Sequence, residues 1–238
     1  MLSLLPVAIL AGGLATRLRP LTDRTPKSLL TVAGRPFILH QLELLRGQGV
    51  EHVVLCLAHM GEQIRAAVDS ALAPGLTVSY SFDGARLLGT GGALRAALPL
   101  LGEEFFVLNG DSYLPCSLQR IQAAFRAARR PALMTVVRND NRWDRSNVLF
   151  RGGRLVVYDK RHPQPHMSHI DFGMSVLSST VFDRYGEAAV LDLADILRDL
   201  SLRGDLAAFE ESQRFYEIGS VQGLKDTEEF LSRQVTDA

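Results

Sequence analysis

From Val7 to Leu10 the chain is apolar, and it then breaks into Ala11-Gly12-Gly13. A short apolar run closed by glycine reads as a strand buried on both faces. Helical spacing follows: Ile38, Leu42 and Leu45 share one face of a helix predicted from Phe37 to Arg46. Val53 to Leu57 is a second continuous apolar run, and Glu62 to Leu72 returns to the helical period through Ile64, Ala67, Val68 and Ala71. A short strand, Thr77 to Phe82, leads through a glycine turn to a helix from Ala93 to Leu101. The strand Phe105 to Leu108 ends at Asn109-Gly110-Asp111, and a helix (Leu118 to Ala128) and a strand (Ala132 to Val137) come next. This alternation predicts an α/β fold, a Rossmann-like three-layer α/β/α arrangement with a mostly parallel mixed sheet. In such sheets ligands lie beyond the carboxyl ends of the strands, and both the Gly12 loop and Asp111 are at carboxyl ends.

Beyond Asn139 the pattern changes. Asn147 to Phe150 and Leu155 to Tyr158 flank Arg151-Gly152-Gly153-Arg154 and predict a hairpin. A polar stretch from Arg161 to His169 reads as a loop, with Trp143 as packing for it. A strand from Ile170 to Leu177, helical segments near Val181 and from Leu191 to Leu202, a strand ending at Glu217-Ile218-Gly219 and a helix to about Arg233 complete the reading. No repeat or linker interrupts the chain, so residues 1–238 are expected to form one domain. Residues 1–138 and residues 139–238, the latter with the C-terminal helix, are expected as its two halves.

Charge narrows the partners. Lys and Arg number 26, as do Asp and Glu, so no bulk field favours nucleic acid or an anionic membrane, and neither is expected as a partner. An anion site must be local. Cys56 and Cys116 are too few for a disulfide framework, and Cys56 lies in an apolar run where a buried thiol is expected. The start has no basic region ahead of its apolar residues, so a cytoplasmic enzyme is expected; a homodimer is left open.

The local site is the loop after the first strand. Gly12 and Gly13 carry no side chain, so a ligand can approach the backbone N–H groups, while Arg17 and Lys27 place cations at the two ends of the loop. That arrangement suits a polyphosphate. Two common phosphate motifs are absent: no Gly-Lys pair follows Gly12 as a P-loop requires, and Gly89-Thr90-Gly91-Gly92-Ala93-Leu94 has Leu94 where a Rossmann fingerprint has its third glycine. Asp111 offers a hard oxygen ligand beside the loop and suits Mg²⁺, which takes one or two carboxylates with phosphate oxygens and water. His162, His166 and His169 match no common metal-ligand spacing.

The run I-L-A-G-G-L-A-T-R-L-R-P-L-T-D-R-T-P-K, Ile9 to Lys27, resembles the signature of the sugar-1-phosphate nucleotidyltransferases. It departs at Ala15, where that family usually has glycine. The resemblance is to the short bacterial members, such as the heptose-1-phosphate guanylyltransferases and the N-acetylmuramate 1-phosphate uridylyltransferases. It implies the nucleotide-diphospho-sugar transferase fold and Mg²⁺-dependent transfer of a nucleoside monophosphate from an NTP (GTP, CTP, UTP or dTTP) to a sugar 1-phosphate. By it, Arg17, Lys27 and Asp111 are catalytic, and Leu10, Ala11, Gly12, Gly13, Gly89 and Thr90 bind the nucleotide. Asp83, just upstream, is placed near the base edge; as an acceptor it favours guanine or cytosine over uracil or thymine.

Phe215-Tyr216-Glu217-Ile218-Gly219-Ser220 resembles the family's late segment carrying a second metal carboxylate, with Glu217 in place of the commoner aspartate. Tyr158-Asp159-Lys160-Arg161 resembles the segment whose lysine holds the sugar phosphate, although Arg161 stands where proline is usual. Asp171-Phe172-Gly173 aligns with the sugar-pocket segment, so Asp171 and Gly173 are expected to bind the sugar phosphate, together with Asn147. Two other readings stay open: a cytidylyltransferase acting on a non-sugar phosphomonoester, and a catalytically silent nucleotide-binding regulatory protein.

Overall fold

The computed structural model describes residues 3–13, 16–186 and 190–236; Ala15 lies outside the described residues. In chain order the strands are β1 (Val7–Leu10), β2 (Thr31–Val32), β3 (Arg35–Pro36), β4 (His52–Leu57), β5 (Thr77–Phe82), β6 (Glu104–Asn109) and β7 (Ser112–Tyr113). Then come β8 (Ala132–Arg138), β9 (Val148–Arg151), β10 (Arg154–Tyr158), β11 (His169–Ser178), β12 (Leu206–Glu211) and β13 (Tyr216–Glu217). The helices are α1 (Phe37–Gly47), α2 (Gly61–Ala71), α3 (Gly89–Leu101), α4 (Leu118–Ala128), α5 (Leu193–Leu202) and α6 (Val221–Thr236).

One large sheet runs β10-β9-β11-β6-β1-β4-β5, with β8 paired to β11 and β12 paired to β8. β6, β1, β4 and β5 are mutually parallel, whereas β11 runs antiparallel to both β6 and β8. The chain leaves β1 toward β4 and β5 and then returns to β6 on the other side of β1, so the strand order reverses at β1. That reversal opens a crevice at the carboxyl ends of β1 and β6.

Alternation along β1 shows why the sheet is covered twice. Val7 and Ile9 join one apolar cluster with Ile38 and Leu42 of α1, Ile64 of α2 and Ile121 of α4. Ala8 joins the opposite cluster, with Leu94 and Ala97 of α3 and Ile196 and Leu197 of α5. Three layers result because a parallel strand buried on both faces must have helices on both. Among the described residues no helix is long and apolar enough to cross a membrane.

The structure departs from expectation in five places. α3 begins at Gly89 rather than Ala93, because the N–H groups of Gly91 and Gly92 are satisfied by the Leu191 carbonyl (2.8 and 3.2 Å) and extend the first turn. β12 was not anticipated; it is a strand held by parallel pairing to β8. His169 is not a loop residue: it opens β11, is buried, and its Nε2 lies 3.0 Å from Glu210. Trp143 packs edge-on against Phe215, with ring centroids 5.4 Å apart. The expected late strand is only β13, paired with β7 in a small sheet apart from the large one.

Candidate active site

Two cavities open at the carboxyl ends of the strands. The first, about 380 Å³, is lined by Leu10, Ala11, Gly12 and Gly13 from the end of β1, by Asp83, Gly89 and Thr90, and by Lys27, Asp111 and Lys160. Every residue expected on the nucleotide side therefore faces one space. The second, about 670 Å³, is lined by Asn147, Lys160, Asp171 and Gly173, with Asp111, Arg17 and Glu217 at one side. Asn109, Asp111 and Lys160 line both. The two cavities meet at those three side chains, and each draws on both halves of the chain.

Close backbone packing sets that meeting point. The Gly110 N–H donates to the Leu10 carbonyl at 3.1 Å, and a Cβ at Gly110 would overlap that carbonyl oxygen. Only glycine lets the turn after β6 lie against the end of β1. Asp111 follows, its own carbonyl accepting from the Ile218 N–H at 2.9 Å, which ties it to β13. Gly12 approaches Ala58, whose Cβ would lie 3.0 Å from an added Cβ.

Lys27 Nζ donates to Asp111 Oδ2 at 2.6 Å, and both side chains are largely shielded from solvent. Burial pushes the Asp111 carboxyl up, but the Lys27 charge and hydrogen bond and the Ser112 hydroxyl outweigh it, leaving its pKa below the usual value. Glu217 ends β13, ahead of α6, where the Ser220 hydroxyl donates to its Oε1 at 2.6 Å and the Gly219 N–H donates to its Oε2. A Cβ at Gly219 would lie 2.6 Å from Glu217 Oε2, 3.2 Å from Asp111 Oδ2 and 3.3 Å from Arg17 Nη2. Two carboxylates and a guanidinium thus converge on the face of one glycine. Among the described residues no cluster of three or more metal-ligating side chains exists. The Asp111 and Glu217 pair nevertheless matches the donor set Mg²⁺ takes when phosphate oxygens and water complete its shell.

Elsewhere the side chains are held by specific partners. Asn147 is buried and its Oδ1 accepts from the Asp171 N–H at 3.0 Å, while Asp171 Oδ1 accepts from the Gly173 N–H at 2.9 Å. Gly173 has φ +99° and lies against Ser112 and Asn109, so β11 bends toward the Asp111 turn there. Burial raises the Asp171 pKa, only partly countered by the Gly173 N–H and the Lys160 charge. Asp83 Oδ2 accepts the Leu88 N–H at 2.9 Å, bracing the turn before α3 as well as lining the first cavity. Thr90 also does double duty: its hydroxyl meets Asp192 at 3.1 Å and accepts the Leu193 N–H at 2.8 Å. Cys56 is inert, its thiol pushed up to about 12 by burial and by Asp83. Arg161 does not line either cavity but pairs with Asp195 at 2.5 Å.

Some lining residues were not singled out from sequence. Asn109 and Ser112 flank the Gly110-Asp111 pair, and that proximity was a usable signal. Arg142 and Arg214, which sit over the Trp143 ring at 5.6 and 5.9 Å, directly precede Trp143 and the Phe215 to Ser220 segment, so adjacency was a signal for them too.

Residues 7–146 match the model of the family described as Nucleotidyl transferase. Over 104 residues the chain is 46% identical to the N-acetylmuramate alpha-1-phosphate uridylyltransferase of Neisseria meningitidis, covering 43% of this chain and 45% of that protein. It is 32% identical over 178 residues to the mannose-1-phosphate guanylyltransferase of Mycobacterium tuberculosis, covering 74% and 49%. The chain spans about half the length of the curated relatives it matches. In structure it is similar to HddC from Yersinia pseudotuberculosis complexed with GMP-PN (TM-score 0.79, 23% identity, 95% of this chain and 99% of that one). The inositol-1-phosphate CTP transferase from T. maritima gives TM-score 0.79 at 22% identity, covering 97% and 96%. At those identities the likeness establishes the fold.

Proposed function

The chain belongs to the nucleotidyl transferase family, and on that premise we propose that it transfers a nucleoside monophosphate from an NTP to a sugar 1-phosphate, releasing pyrophosphate. The observation that carries the proposal is the meeting of two cavities at Asn109, Asp111 and Lys160. One cavity for each substrate, sharing a wall of charged groups, is what a reaction between two phosphates needs. We read residues 1–238 as one unit in which 1–138 supply most of the nucleotide side and 139–238 most of the acceptor side.

In this reading an oxygen of the acceptor phosphate attacks the α-phosphorus in line. The bond from that phosphorus to the bridging oxygen breaks, and its electron pair leaves on pyrophosphate. A phosphomonoester loses its second proton near pH 6, so the nucleophile is ionised at pH 7 and no side chain must accept a proton. The protein's task is then to bring anions together and stabilise them. The ends of β1 and α3 form the nucleotide cradle, through Leu10, Ala11, Gly12, Gly13, Gly89 and Thr90. Lys27 sits beside Asp111, where the reacting phosphates must lie, and Arg17 faces the same point from the second cavity. Lys160, on the shared wall, holds the acceptor phosphate, and Asn147, Asp171 and Gly173 position the sugar.

Asp111 and Glu217 would hold Mg²⁺. When bound, that ion offsets phosphate charge and orients the reacting oxygens. Asp83 lines the first cavity and its carboxylate can only accept hydrogen bonds, and we therefore place GTP or CTP ahead of UTP and dTTP. We place the reaction in the cytoplasm. The test is a screen of four NTPs against a panel of sugar 1-phosphates and choline phosphate, following pyrophosphate release with and without Mg²⁺. Turnover with a sugar 1-phosphate supports the proposal. Turnover with choline phosphate alone moves the acceptor outside sugars. NTP binding with no release under any pairing favours a regulatory protein.

A further inference from the structure

We infer that Gln41 is a positioning residue, which fixes the Asp111 carboxylate opposite Lys27; the inference rests on the nucleotidyl-transfer reading above. Gln41 lies on α1, is fully buried and lines neither cavity. Its Nε2 donates both hydrogens to main-chain carbonyls, those of Asn109 at 3.1 Å and Ser112 at 2.7 Å. Those two carbonyls bracket Gly110 and Asp111, so one side-chain amide spans the turn that aims the carboxylate.

The orientation of the amide is fixed by its acceptors. Turning it over would set its oxygen against two carbonyl oxygens. Held as it is, Oε1 is buried with no partner among the described residues. An unpaired buried acceptor is costly, and the two hydrogen bonds donated to the Asp111 turn offset that cost. Here one end is left unpaired so that the other can grip the Asp111 turn.

The preceding residue grips the opposite loop. His40 Nε2 lies 2.7 Å from the Val32 carbonyl, which can only accept, so Nε2 carries the proton. Val32 belongs to the β2–β3 hairpin that directly follows Lys27, and the Phe37 N–H at the start of α1 donates to Leu30 in the same loop at 3.0 Å. Adjacent residues of one helix therefore hold the loop behind Lys27 and the turn bearing Asp111. The 2.6 Å separation of those two charges is referred to a single rigid element. A glutamine is suited to the task because one nitrogen supplies two donors; methionine has similar reach and none, and glutamate has only acceptors.

The test uses the full chain carrying Gln41→Met and Gln41→Glu. Three quantities are read: kcat, the KM for each substrate, and the Kd of Mn²⁺ for protein loaded with a non-hydrolysable NTP analogue, from the free-ion electron paramagnetic resonance signal. The kcat is scaled to the concentration of nucleotide-binding sites. A misplacement of about 1 Å at a reacting group costs on the order of 10²-fold in rate. Gln41→Met should therefore lower kcat by roughly 10–100-fold, weaken Mn²⁺ several-fold and leave both KM values within about twofold; Gln41→Glu should be worse. If Gln41→Met does not fold, Gln41→Asn, a donor one methylene shorter, is read by the same criteria. Unchanged kcat and Mn²⁺ affinity would overturn the assignment, as would a loss spread equally over kcat, both KM values and nucleotide occupancy. Absence of turnover in the unsubstituted protein would overturn the functional reading instead, and the Mn²⁺ comparison would still decide the role of Gln41.

Discussion

Lys27 Nζ lies 2.6 Å from Asp111 Oδ2, joining residues 84 apart in the chain. Without that ammonium, burial would drive the carboxyl toward its neutral form; with it, the pKa lies below the usual carboxylate range. The carboxylate that would hold Mg²⁺ is thus already charged and already paired. In the proposed reaction, phosphates entering the first cavity would offer Lys27 a second anion and would free Asp111 to take another cation.

Asp111→Asn keeps the shape of the side chain and its contact with Lys27 but removes the charge. Preorganised charged groups are worth about 10²–10³ in rate. Pyrophosphate release should fall by at least that factor while the circular dichroism spectrum is retained. Release near the unsubstituted rate would remove Asp111 from the chemistry.

Lys160→Ala should raise the KM for the sugar 1-phosphate well above any change in the KM for NTP. Lys160 lines both cavities, but the acceptor side also contains Asn147 and Asp171, the latter feeling the Lys160 charge. Initial-rate measurements varying each substrate separate the two constants. Equal increases would place Lys160 on the nucleotide.

Gly219→Ala should spare the fold and harm the site. The atoms an added Cβ meets are the ends of Glu217, Asp111 and Arg17, which can swing away, so the stability loss should be about 1 kcal/mol or less. Swinging away separates the two carboxylates. The Mg²⁺ concentration for half-maximal rate should rise several-fold, measured at saturating substrates; an unchanged Mg²⁺ dependence would show that Glu217 and Asp111 do not share the ion.

Acid should act on stability through Asp111 and Asp171 in opposite senses. Asp111 has a depressed folded-state pKa, so its contribution is complete above the unfolded value, about 3.9, and is lost as pH falls through the lower folded value. Asp171 has a raised pKa, so its cost to folding sets in as pH rises past the unfolded value, about 3.9, and is complete once pH exceeds the higher folded value. Urea midpoints measured from pH 3 to 7 should show Asp171→Asn more stable than the parent at pH 7, with the gain vanishing toward pH 3. Asp111→Asn should be less stable at pH 7 and converge on the parent in acid. A parallel pair of curves for either variant would reject its assignment.

Local pattern made much of the molecule legible. The apolar run Val53 to Leu57 could only be a strand covered on both faces, and it is buried as β4. The period of Ile38, Leu42 and Leu45 marked the inward face of α1, and those residues are in the core. β12 escaped because Leu206–Glu211 ends in two glutamates and is recruited by parallel pairing to β8, a partner some 70 residues earlier by the observed register. The glycines after Leu88 suggested a turn, whereas the Leu191 carbonyl, about 100 residues later, makes them the first turn of α3.

The sequence by itself determined the fold class, the family signature from Ile9 to Lys27 and the set of residues, expected on a nucleotide side, that line the first cavity, because each depends on local periodicity or on a contiguous motif. Tertiary structure alone decided that Arg17, Asp111 and Glu217 converge at Gly219, that Lys160 stands between two cavities, and that Gln41 braces the Asp111 turn. Those relationships join distant segments. They are set by the reversal of strand order at β1 and by backbone approaches such as Gly110 on Leu10, which no local pattern of apolar and polar residues records.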